Sequence, residues 1–404
     1  MGDPRGAPVT GSARPGEAFR EFAWTGPWVN AGNWQRVTDP QARHPGAAEF
    51  LPNPVNAVRL EGVAEALRAE VTLEQWGGHA GTSDKRLRLN GGDWIPVPEP
   101  EGIPGQAGPH PHPQCYQYFT YPTVALPLEQ LREGDNTFEL TCGGQTCFDF
   151  GWGQWGIYGA SFRMFCEPSP SQARGRIVSP EPGARLGGAV EIGLEPRGEV
   201  AQVDYLGRYE DFDDGGSGAW RQWHHTYRHG VLQRHLGSAR GPGRIEWGTD
   251  WVPDQNEPMA IAARVRGRDG VCSITEVVDG LVLARPDRAV HLCKPFAVPP
   301  RWQTRDGQRQ GCRVRLPTAA ASIEAARLVL ATWSGGHADA IGIDRTPVVE
   351  RVGLEHDYSL DEVEVPVELL HDGEMELYTE ARTEHHGIEV LWPGICLKVR
   401  EKRR

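Results

Sequence analysis

One phrase occurs twice in this chain. EQWGGHAGT ends at Thr82 and TWSGGHADA ends at Ala340, each after an apolar run, AEVTLEQW and ARLVLATW. The likeness extends further. LRLNG (87–91) matches IGIDR (341–345). PLEQLREGDNTFEL (127–140) matches PVELLHDGEMELYT (366–379), with Pro127/Pro366, Glu129/Glu368, Leu131/Leu370 and Gly134/Gly373 at identical offsets. Each copy closes on an apolar run, GIYGASFRMF (156–165) and GICLKVR (394–400). One supersecondary unit is therefore expected twice, over about 45–166 and 302–401.

Within each copy, short alternating runs are separated by Gly, Pro and Asp turns, and no stretch sustains a helical period. The 50 glycines and 33 prolines suit many turns between short strands. The expected fold is all-β, with each copy a β-sandwich of about a hundred residues. A short strand ending in Asn-Gly, then P-x-E-x-L-x-x-G-x-N, then a closing strand resembles the galactose-binding-like jelly rolls. LRLNG with WIPVP, and LPLEQLREGDNTFEL, carry most of that resemblance. It implies a jelly-roll fold and a role in binding sugars, proteins or membranes, or as a structural accessory. The second copy departs from the pattern: Asp344 stands for Asn90, and Glu374-Met375 for Asp135-Asn136.

Between the copies, RGRIVSPEPGARLGGAVEIGLEP resembles the first strands of an immunoglobulin- or cadherin-like domain. EPSPSQARG (167–175) reads as the linker before it. The expected order is an N-terminal arm (1–44) carrying Trp24, Trp28 and Trp34, jelly roll 1 (45–166), an Ig-like domain (175–300) and jelly roll 2 (302–401).

A net charge of −12 argues against a nucleic-acid partner, and no apolar run has the length of a membrane-spanning helix. Tryptophan is abundant: 14, against 9 Tyr and 11 Phe. Indoles stack well on flat apolar faces such as those of sugars, so the expected partner is a polysaccharide or other glycan. Cys142-Gly-Gly-Gln-Thr-Cys147 reads as a hairpin end closed by a disulfide. That disulfide and the glycan reading point to an extracytoplasmic setting. The N-terminus shows no apolar leader core, which keeps a cytoplasmic setting open.

Candidate site residues fall in four places. His79 and His337 follow Gly-Gly; the plainer reading makes each a loop-root histidine bonded to backbone, the other a sugar or metal ligand. The aromatic segments of the first copy offer Tyr116, Tyr118, Trp152 and Trp155. In WRQWHHTYRHG (220–230), strand alternation would set Trp223, His225, Tyr227 and His229 on one face as a sugar platform, or as an interdomain contact. In YEDFDDGGSG (209–218), Asp211, Asp213 and Asp214 are hard oxygen donors for Ca²⁺, with a solvated turn as the plainer reading.

The leading expectation is a carbohydrate-binding protein. A glycoside hydrolase or polysaccharide lyase is the first rival. It requires His225, His229, Glu210 and Asp214 to converge at a jelly-roll/Ig junction. A structural or assembly protein is the second, and requires the aromatics at 116–121 and 220–227 to be buried at interfaces.

Overall fold

The computed structural model describes residues 11–29, 32–104, 115–148, 150–384 and 386–403. The protein is all-β. Among the described residues, helical structure amounts to one turn at Pro45–Ala48 and a few short 3-10 turns. No helix among them is long and apolar enough to cross a membrane.

The two repeats fold alike. In the first, Val55–Leu60, Gly134–Thr141, Arg86–Leu89 and Ile95–Pro96 lie side by side. In the second, Gln308–Arg315, Glu374–Ala381, Ala340–Ile343 and Thr346–Val349 lie in the same order. The facing sheet of each copy contains the long strand that ends in the repeated tryptophan. Arg68–Trp76 pairs antiparallel with Gln154–Cys166, and Ile323–Trp333 with Cys396–Lys402. Alternation in Val55–Leu60 buries Asn56, Val58 and Leu60 and exposes their neighbours. Side chains from both sheets then close one core, with Leu60, Leu87, Phe138, Val71 and Phe162 in the first copy. Val314, Ile341, Leu377, Leu328 and Leu397 do the same in the second.

The shared offsets have structural causes. Pro127 and Pro366 each precede a 3-10 turn, Leu128–Gln130 and Val367–Leu369. Gly134 and Gly373 then take φ of +88° and +94°, where a side chain would be strained. Asn90 and Asp344 share a left-handed φ of 48° and 51°. Thr137 N donates to Asn90 Oδ1 at 2.9 Å, and Glu376 N to Asp344 Oδ1 at 3.0 Å. Both side chains supply that acceptor oxygen; the second atom differs, with Asn90 Nδ2 donating to the Gln130 carbonyl and Asn136 Oδ1, and Asp344 Oδ2 bonding His371.

Sheet pairing extends the repeat at its N-terminal side. Ala18–Trp24, read from sequence as part of an arm, pairs with residues 160–166 of the closing strand Gln154–Cys166, and Gln35–Thr38 pairs with the start of that strand. Arg288–Cys293 takes the same place beside Cys396–Lys402. Between the copies, Arg174–Ser179, Ala189–Arg197 and Ile245–Gly248 form a three-stranded sheet. Its core closes with Val203, Tyr205, Ile261 and Val265 from Val200–Glu210 and Met259–Gly267. Val271–Ile274 pairs with both Met259–Gly267 and Ala18–Trp24, so the middle region's sheet is continuous with that of the first repeat.

A buried charge network ties the same two regions. Arg163 is fully buried and bonds Glu21 at 2.8 Å, Thr72 at 2.6 Å and the Tyr227 hydroxyl at 2.9 Å. Arg264 bonds Glu21 and Asp204, both at 2.9 Å. Burial alone would raise the Glu21 carboxyl. The Arg163 and Arg264 guanidiniums outweigh that and hold it below its ordinary range.

The disulfide differs from the expected one. Cys147 bonds Cys115, and Cys142 is a buried thiol facing the Val37 carbonyl. The strand ends at Thr141, and the chain beyond it leaves the hairpin geometry: Gln145 bridges Thr82. That turn carries Cys147 against Gly81 and away from Cys142.

A candidate ligand cleft between the two repeats

The repeated tryptophans meet. Trp76 and Trp333 end equivalent strands, and their rings stack with centroids 4.7 Å apart and planes 1° apart. Trp34 stands edge-on to both, at 5.4 and 6.4 Å. Trp333 Nε1 donates to the buried Tyr158 hydroxyl at 3.0 Å. Phe119 stacks on Tyr358 at 3.8 Å beside them. These rings form an apolar seam that joins the two sandwiches.

A cleft of about 300 Å³ opens along this seam. Trp34, Trp76, Trp152 and Trp333 wall it, with Phe50 and Phe150. Its polar lining is Arg36, His79, Gln117, Gln145, Gln154, Arg301, Gln303, His386 and Glu389. These come from the arm, both repeats and the segment before the second repeat. Arg36 Nη1 donates to Gln154 at 2.9 Å, and its guanidinium lies 4.0 Å from the Phe50 centroid. Arg301 Nη2 donates to Gln303 at 3.1 Å, and Gln303 donates to Glu389 at 3.2 Å. Burial pushes the Glu389 carboxyl up to about 8, against the pull of Arg301, so it is an uncharged acid at neutral pH. Several buried polar atoms on the cleft residues have no hydrogen-bond partner among the described residues: Trp76 Nε1, Trp152 Nε1, Arg36 Nε, Gln117 Oε1 and Glu389 Oε2.

Two of the sequence candidates, His79 and Trp152, come together in this cleft. His79 Nδ1 bonds the Trp152 carbonyl at 2.9 Å, and its ring lies 3.9 Å from that of Phe150. Burial pushes its imidazole down to about 4, so it is neutral. His337 lies outside the cleft lining, with its ring against His356 and His386 at 4.9 and 5.5 Å. Trp155 and Tyr118 are core residues, 0% and 1% exposed. Tyr118 bonds Glu99 and Lys85. Tyr116 is half-buried, edge-on to Trp392 at 5.3 Å.

The 220–230 segment is not a one-faced strand. It breaks at His225 into Arg221–His224 and Thr226–Arg228. Trp223, His224 and Tyr227 are all buried, because other elements cover both faces. The expected convergence of His225 and His229 on Glu210 and Asp214 does not occur. His225 bonds the Trp223 carbonyl, while His229 lies against Trp28 and bonds the Asn33 carbonyl. Glu210 pairs with Lys294 at 2.5 Å. Asp214 instead pairs with His224 at 3.1 Å. Burial would push His224 down, but the charge and hydrogen bond of Asp214 hold it above its usual value.

The acidic loop is engaged internally. Asp211 bonds Lys398 at 2.7 Å. Asp213 accepts from Ser217 N, Gly218 N, Gln222 and Trp392 Nε1, at 2.6 to 3.2 Å. Asp213 and Asp214 share Gln222 as a donor, while Asp211 faces Lys398. As they stand, no three His, Cys, Asp or Glu side chains among the described residues are grouped to hold a metal ion.

The cleft was not visible in the sequence. Arg36, Gln117, Arg301 and Glu389 belong to no motif and lie far apart in the chain. The one available signal was Glu389 inside the apolar run IEVLW.

No known protein family matches the chain, and no curated protein matches it. Solved structures with partial likeness include a β-porphyranase of glycoside hydrolase family 86 from the human gut bacterium Bacteroides plebeius. It is 12% identical, with 59% of this chain and 38% of that one covered, at a TM-score of 0.25. The glycoside hydrolase domain of Endo-D from Streptococcus pneumoniae is 9% identical, with 65% and 36% covered, at 0.22. A β-glucuronidase from Faecalibacterium prausnitzii is 12% identical, with 69% and 46% covered, at 0.19. These neighbours are carbohydrate-active proteins, and the chain spans less than half the length of each. At such scores the likeness carries no argument about this chain.

Proposed function

We propose that the protein binds a carbohydrate in the cleft between its two repeats. The observation that carries this reading is the lining: four indoles beside two guanidiniums, four carboxamides and an uncharged carboxyl. Indoles offer apolar faces for sugar rings, and the amides and guanidiniums offer hydroxyl partners. A volume of about 300 Å³ is at the small end of ligand sites and suits a short stretch of a glycan. Binding fits this lining better than hydrolysis does. Glycoside hydrolysis uses two facing carboxyl groups, and Glu389 is the single one among the described residues lining the cleft.

A second reading, an assembly module without a small ligand, has one observation in its favour. Of the aromatics at 116–121 and 220–227, Tyr118, Phe119, Trp223 and Tyr227 are buried at contacts between elements, while Tyr116, Tyr121 and Trp220 are half-buried.

The test is incubation of the purified protein with a panel of polysaccharides, reading loss of protein from the supernatant and appearance of new chain ends. Depletion without new ends supports binding. New ends would make it an enzyme. Neither, on a broad panel, would leave the assembly reading in place.

A further inference from the structure

Among the described residues, the cleft is lined by two guanidiniums and one carboxyl. Arg36 and Arg301 both line it, and each hydrogen-bonds a neutral glutamine, Gln154 and Gln303. Among the described residues neither forms an ion pair, whereas Arg163, Arg228, Arg264 and Arg285 each hold a carboxylate. Arg36 Nε is buried and has no hydrogen-bond partner among the described residues. Burial alone pushes the Arg36 guanidinium down to about 10, which marks a charged group held where a counter-ion would stabilise it. Glu389, the one carboxyl among the described lining residues, does not supply that counter-ion at neutral pH, because burial keeps it protonated. His79, pushed down to about 4, adds no charge of its own.

Resting on the carbohydrate reading above, we infer that the cleft selects an anionic sugar, whose carboxylate or sulfate ester lies between Arg36 and Arg301. A planar guanidinium offers paired N–H donors that match both anions. Phe50 and Trp34 flank the Arg36 guanidinium at 4.0 and 4.9 Å, fixing its plane. The whole chain is acidic, at −12, so diffuse attraction of a polyanion is disfavoured. Binding would therefore be local, saturable and weakened by salt.

The test is calorimetric titration of the full chain with three oligosaccharide sets of matched length: polyuronate, sulfated galactan and neutral galactan. The expected result is that at least one anionic set binds more tightly than the neutral one, by about tenfold or more in low salt. Which anionic set wins distinguishes carboxylate from sulfate ester. Arg36→Gln and Arg301→Gln should each weaken the anionic sets far more than the neutral set, removing most of that preference, and Arg36→Lys should restore part of it. Circular dichroism and a thermal melt confirm that each variant is folded. Equal affinity for charged and neutral sets, with Trp333→Ala abolishing both, would overturn this inference and leave the carbohydrate reading standing. No binding of any set would overturn both.

Discussion

Trp76 and Trp333 lie face to face, 4.7 Å apart and within 1° of parallel, although 257 positions (333 − 76) separate them in the chain. They occupy equivalent strand ends in the two repeats, so the seam is a self-complementary contact between copies of one unit within a single chain. A double-mutant cycle of Trp76→Ala and Trp333→Ala in denaturant should show a coupling of about 0.5–1.5 kcal/mol. Additive single effects would mean that the stack does not hold the repeats together.

Glu389 sets an alkaline limit. Its folded-state carboxyl, raised by burial to about 8, lies above the ordinary 4.5 of the unfolded chain. The folded state therefore binds the extra proton between those values, and its stability falls as pH rises from about 4.5 to about 8. Glu389→Gln keeps the shape and removes the titration. The variant should gain more than about 1 kcal/mol over wild type at pH 8.5 relative to pH 5. Parallel pH–stability curves would contradict this.

Glu21 behaves in the opposite sense. Its carboxyl is held below 4.5 in the fold by Arg163 and Arg264 despite burial. The stability it contributes is complete above about 4.5 and disappears as pH falls through the folded value. Glu21→Gln leaves two buried guanidiniums short of a partner and should cost about 3 kcal/mol at pH 7, with a flatter acid limb in denaturant titrations. An unchanged acid limb would show that the network is not what fails at low pH.

Peptide mapping without reductant should recover Cys115 linked to Cys147 and find Cys142 alkylated only after unfolding. Removing the link by Cys115→Ser with Cys147→Ser should cost about 3–4 kcal/mol, the value for a closed loop of this size. A Cys142–Cys147 peptide would contradict the structure.

The duplicated unit was legible because its markers do backbone work. Gly134 and Gly373 take positive φ, and Asn90 and Asp344 accept the same cross-strand hydrogen bond. Those constraints are local and survive in sequence. The 220–230 segment misled because alternation assigns a face but does not show what covers it: here both faces are covered. The disulfide misled because spacing along a hairpin ignores how the chain leaves it at Gln145. Two residues of the cleft, His79 and Trp152, were legible. Arg36, Arg301 and Glu389 were not, because only docking of the repeats and the arm brings them together.

The most direct test of the central claim is calorimetric titration of wild type, Trp333→Ala and Trp94→Ala with the tightest-binding oligosaccharide from the panel. Trp333 lines the cleft, whereas Trp94 packs on Arg88 in the other sheet of the first repeat. One site per chain is expected, with affinity falling about tenfold or more in Trp333→Ala and unchanged in Trp94→Ala. Wild-type affinity in Trp333→Ala would place the sugar elsewhere and contradict the account.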